Sequence, residues 1–113
     1  MTRLAILLAL TLGLATTAPA DTIEAEVQRV DEIVAMYLDA AMKFAHEIDT
    51  ITGETTAVPA LEASQTAWIA YRDAQCAFLA TTFGGDPGTD MAVGACKMNL
   101  GEDRARELAE FIR

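Results

Sequence analysis

The sequence predicts a small all-α domain: two long antiparallel helices plus one or two short helices, stapled by a disulfide. Apolar residues recur at alternating steps of four and three through most of the chain, and no segment sustains the period-two alternation of a strand. The glycine- and proline-containing stretches fall between the periodic ones, so local and global signals agree.

Residues 1–20, MTRLAILLALTLGLATTAPA, read as an export leader. Arg3 supplies the cation, Leu4 to Leu14 the apolar run, and Ala18-Pro19-Ala20 a small-residue cleavage site. That run is shorter than the roughly 20 apolar residues a bilayer span requires, and no later stretch approaches the length. Cleavage after Ala20 is expected to leave a periplasmic domain, residues 21–113, with no membrane attachment.

In the first helix, expected from about 22 to 49, Ile23, Val27, Val30, Val34, Tyr37, Ala41, Phe44 and Ile48 share one stripe. Ile33 and Leu38 widen it, and Asp21 with Glu24 has capping-box spacing. Gly53 and the polar run at 52–56 interrupt the pattern, and Pro59 suits the first turn of a second helix. The second stripe is Leu61, Gln65, Trp68, Ile69, Arg72, Cys76, Leu79 and Phe83, ending before Gly84-Gly85. GGDPGTD at 84–90 has the composition of a surface loop. A short helix from about 89 to 99 would carry Cys96. Gly101 reads as another break before a last helix with Leu108, Phe111 and Ile112 on one side.

The 113 residues hold 8 Lys+Arg against 17 Asp+Glu, a net charge of −9. Removing residues 1–20, Arg3 among them, leaves 93 residues with 7 Lys+Arg and 17 Asp+Glu, a net charge of −10. Such acidity argues against nucleic acid, which requires clustered Lys and Arg. It favours long-range attraction to a basic partner, with plain solubility of an exported protein as the alternative. Cys76 and Cys96, 20 apart, fit neither a C-x-x-C redox motif nor a zinc pattern. In an oxidising compartment a structural bridge is the expected state, with a free or redox-active pair as the alternative.

No cofactor, metal or catalytic constellation emerges. His46 is the single histidine; Met42, Glu47 and Asp49 lie close in sequence, but neighbouring helix positions diverge. No Ser or Cys stands at a helical offset that would make His46 a base for a nucleophile. The chain is therefore not read as an enzyme. Arg72 is read as a structural clamp, stacked on Trp68 or bound to a carboxylate or to loop carbonyls, with direct partner binding as the alternative. Trp68 and Tyr71 are expected at the core or its boundary, and Arg104 as a second structural cation. Asp86 and Asp90, in a loop closed by a Cys76–Cys96 bridge, are candidate contacts to a basic partner, against the alternative of an ordinary surface connection.

Leu61-x-x-Ser64-Gln65-x-x-Trp68-x-x-Tyr71-Arg72-Asp73-x-x-Cys76, then Gly84-Gly85, Cys96, Leu100, Arg104 and Leu108, resembles the N-terminal domain of the lysozyme inhibitor LprI-like family. The likeness covers about residues 61–108. It departs at Gly101, where family members usually carry a capping Thr, and in lacking further cysteines in the first helical region. The resemblance implies an exported, cysteine-bridged helical protein whose family activity is lysozyme inhibition. Its motif residues map onto Gln65, Trp68, Tyr71, Arg72, Asp73, Arg104 and Leu108. The alternative is a non-enzymatic periplasmic interaction module whose first-helix stripe binds another helix, its own copy included; oligomeric state is not legible.

Overall fold

The computed structural model describes Gly13 and residues 22–112; apart from Gly13, the leader and its cleavage point lie outside the described residues. Three helices follow one another: α1 (Ile23–Thr52), α2 (Ala57–Thr81) and α3 (Thr89–Ala109), with no strand among the described residues. Thr22, rather than Asp21, caps α1: its hydroxyl accepts the Ala25 N–H at 3.3 Å. Gly53 ends α1 in the left-handed conformation (φ 71°), its N–H returning to the Asp49 carbonyl. The predicted first-helix stripe faces inward: its Val30, Val34 and Ala41 are buried, Ala45 joins them, and Ile33, expected to widen the stripe, is exposed.

The expected break at Gly101 does not occur. Residues 89–109 form one continuous helix, and Gly101 lies buried in its middle. A methyl group at Gly101 would stand 2.5 Å from Val30 Cγ1, and one at Gly94 would collide with Ile23 Cγ1. Gly94 and Gly101 are seven residues apart, as are Ile23 and Val30, so each glycine receives a β-branched side chain from successive double turns of α1. Glycine is here a helix-contact residue rather than a breaker. The paired advance shows α1 and α3 running parallel, with α2 antiparallel to both.

The core is Val34, Ala41, Ala105 and Leu108, flanked by Tyr37, Leu38, Leu61 and Trp68. Leu108 is almost wholly buried, whereas Phe111 and Ile112, expected beside it, follow the end of α3 and are exposed. Of the 25 residues in α2 only Cys76 is fully buried, so this helix meets the others along a narrow strip. Its N-terminus is capped from α1: the Asp49 carboxylate accepts the backbone N–H groups of Thr56, Ala57 and Val58 at 3.1, 2.8 and 3.1 Å. Three N–H donors, the Ala57 bond foremost, hold its carboxyl below the ordinary range; nearby His46 adds a smaller pull, and desolvation opposes them.

Candidate functional site

The inner strip of α2 carries the sequence motif, because Gln65, Trp68, Arg72 and Cys76 step by three and four along one side. Arg72 Nη1 donates to Asp31 Oδ1 on α1 at 2.6 Å, and the guanidinium lies 5.0 Å over the Trp68 ring. Arg72 Nε is 3.5 Å from Asp73 Oδ1, close enough to attract but outside hydrogen-bond geometry. The Arg72 side chain is only 13% exposed, so its charge is used inside the molecule. Beside it Asp31, Val34, Leu38, Gln65, Trp68 and Ile69 line a cleft of about 260 Å³.

Arg104 does the same for α3. It is buried, and its three nitrogens are spread among separate acceptors: Nε to Gln65 Oε1 at 3.0 Å, Nη2 to Ser64 Oγ at 3.1 Å and Nη1 to Glu107 Oε2 at 3.2 Å. The planar fork suits this division, since its donors point in fixed directions. Gln65, Trp68, Arg72, Arg104 and Leu108 thus converge where the helices meet, while Asp73 stays exposed on the flank of α2. Cys76 and Cys96 are bonded, joining α2 to α3 with a Cα–Cα distance of 5.7 Å.

Tyr71 does not join them. Expected at the core or boundary, it is 55% exposed, because one residue before Arg72 on the helix turns its side chain about 100° away from the inner strip. Asp86 and Asp90 separate in role. Asp86 Oδ1 accepts the Gly88 N–H at 2.8 Å, and its carbonyl accepts from the Thr89 N–H and hydroxyl, so Asp86 shapes the turn into α3. Asp90 lies in the first turn of α3, lining a cavity of about 310 Å³ with Glu24 and Lys97.

The structure also shows residues that the sequence reading did not single out. Asp31, 41 residues away, is the carboxylate for Arg72. Asp49, weighed beside His46 for metal binding, is instead the cap of α2. Among the described residues no three His, Cys, Asp or Glu side chains gather in a metal-binding group. No described helix is long and apolar enough to cross a membrane.

These features define a class: a small, disulfide-stapled helical domain whose motif cations tie its helices together instead of facing solvent. The chain belongs to the lysozyme inhibitor LprI family, whose sequence model matches residues 14–108. It is also similar to an uncharacterised protein of Rhizobium meliloti (strain 1021), with 32% identity over 89 residues, 79% of this chain. The matched region spans 63% of that relative's length. No solved structure matches the chain.

Proposed function

We propose that this protein is exported and acts without catalysis, docking onto a basic enzyme such as lysozyme and blocking it. The observation that carries the reading is how charge is partitioned. Arg72 and Arg104 are consumed by internal contacts, and the outward Arg29, Lys43 and Arg106 each sit beside an acid on their own helix, Glu26, Asp39 and Asp103. Glu24, Glu47, Glu54, Glu62, Glu102 and Glu110 remain as exposed carboxylates around the molecule. With the described cations paired in this way, the chain's excess of acid is carried by exposed carboxylates, and family membership supplies the class of enzyme that such a surface would meet.

We infer that the contact lies at residues 84–90, between and at the start of the two helices that the Cys76–Cys96 bond joins. Pre-ordering of this kind lowers the entropy lost on docking. The test is lysis of a cell-wall suspension by lysozyme in the presence of the chain starting at Asp21, oxidised or reduced. Oxidised protein slows lysis, and replacing Asp86 and Asp90 together with Asn weakens the effect; Asn retains the side-chain oxygen that accepts the Gly88 N–H. Lysis unaffected by either redox form at micromolar protein overturns the inhibitor reading. Inhibition unchanged in the double Asn variant removes the loop from it.

A further inference from the structure

The stripe of α1 that suggested a helix-binding surface is occupied by the protein's own core. Exposed apolar side chains stand instead where α2 gives way to α3. Phe83 and Met91 are 38% and 61% exposed, and Pro87 between them is exposed as well. They interleave with the two loop acids in the run Phe83-x-x-Asp86-Pro87-x-x-Asp90-Met91. The backbone that carries them is closely tied. Gly84 and Gly85 are left-handed, at φ 57° and 83°, and turn the chain back on itself. The Asp86 N–H donates to the Phe83 carbonyl at 2.9 Å, and the Ala92 N–H to the Gly88 carbonyl at 3.0 Å. The Cys76–Cys96 bond fixes the two helices behind the turn. Phe83, seven residues after Cys76, and Met91, five before Cys96, both lie on its loop side, roughly 10 and 8 Å along the helix axes.

We propose that Phe83, Pro87 and Met91 are the anchors of the enzyme contact: they hold the complex together, while Asp86 and Asp90 steer its formation. This rests on the docking reading above and assigns what that reading leaves open, the groups that supply affinity. Aromatic residues and Met are enriched in interfaces, and a few desolvated anchors carry most of the binding energy, whereas rim charges act mainly on encounter. Charge selects the occupant. Between Asp73 and Lys97 the charged side chains are Asp86 and Asp90 alone. Glu24, which lines one cavity with Asp90, belongs to the same end of the molecule, as does Glu26 in the same turn of α1; these four acids outnumber Arg29 and Lys97 there. A second copy would bring the same acids against them, whereas a basic enzyme brings the opposite charge. Anchors already placed in the free protein lose little entropy on docking.

Flowing the oxidised chain from Asp21 onward over immobilised lysozyme, at about 0.05 M and about 0.3 M salt, separates the two rates. Phe83→Ala should raise the dissociation rate at least about tenfold and Met91→Ala about threefold, each keeping the wild-type association rate and its salt dependence. Asp86→Asn combined with Asp90→Asn should instead slow association and flatten its salt dependence. Met36→Ala removes an equally exposed methionine about 20 Å along α1 from Ile23, and should change neither rate. Phe83 is partly covered, so the Tm of each variant is measured alongside; Met91→Ala, at the more exposed position, carries the test if Phe83→Ala does not fold. A wild-type chain that binds while the folded anchor variants dissociate no faster overturns this inference and leaves the docking reading standing. So does a dissociation rate raised as far by Met36→Ala. A wild-type chain that fails to bind at the lower salt overturns both.

Discussion

Replacing Gly101 with Ala pits two effects of known sign against each other. In an unobstructed helix interior the change is favourable by about 1 kcal/mol, because glycine loses more backbone freedom on folding. Here the added methyl would stand 2.5 Å from Val30 Cγ1, with Val30 Cβ and Val34 Cγ2 at 3.8 Å behind it. A β-branched Val in a helix is confined largely to one rotamer, so it cannot swing clear cheaply. Relief must come from separating α1 and α3, and overpacking of that kind costs roughly 1–3 kcal/mol. The net expectation is destabilisation by about 1 kcal/mol, which for a domain of this size lowers Tm by about 4–8 °C. Urea unfolding of the oxidised protein, followed by circular dichroism, measures it. Val30→Ala in the same chain should recover most of the loss, giving a favourable coupling of about 1–2 kcal/mol between the two positions. If Gly101→Ala alone raises the unfolding midpoint, the close approach of α1 and α3 at this point is wrong.

Arg72→Ala removes the Asp31 hydrogen bond and the cation over Trp68; since Asp31 is 44% exposed and can rehydrate, the expected loss is about 2 kcal/mol, with about 1 kcal/mol of it as coupling to Asp31→Ala in a double-mutant cycle. Additive effects of those two substitutions would refute the clamp. Asp49 gives a pH signature. Its folded-state carboxyl is held below its unfolded value, so its contribution is fully present above that value, near pH 4, and fades as pH falls through the lower folded one. Asp49→Asn should therefore lower Tm at pH 7, and the gap from wild type should narrow below about pH 4; a gap that stays constant down to pH 3 would exclude charge capping of α2. Reducing Cys76–Cys96 releases a 20-residue separation from constraint and should cost on the order of 3 kcal/mol, read as a fall in Tm in the presence of a thiol.

The helical class was legible because it rests on periodicity, and the 3.6-residue pattern of α1 places its stripe inward without further information. Gly101 was misread because its two common roles look alike in sequence. A glycine after an apolar run can end a helix, or admit a side chain from a neighbouring one, and the difference lies in the neighbour. Only with Ile23 and Val30 placed against Gly94 and Gly101 does the seven-residue match appear. The same limit applies to polar contacts across long separations. Arg72 stands out from its position on an apolar strip, but Asp31 is 41 residues away and nothing in a single sequence joins them. Asp49 was obscured differently: its proximity to His46 suggested chemistry, while its actual partners are backbone N–H groups, which no side-chain pattern reveals.

The excess of exposed carboxylates on this chain is what we propose draws it to a basic enzyme. Titration calorimetry of the oxidised chain from Asp21 onward into lysozyme, at about 0.05 M and about 0.3 M salt, tests it most directly. Binding is expected at the lower salt, weakened by at least about tenfold at the higher. An absence of binding at low salt, or an affinity indifferent to salt, would contradict it.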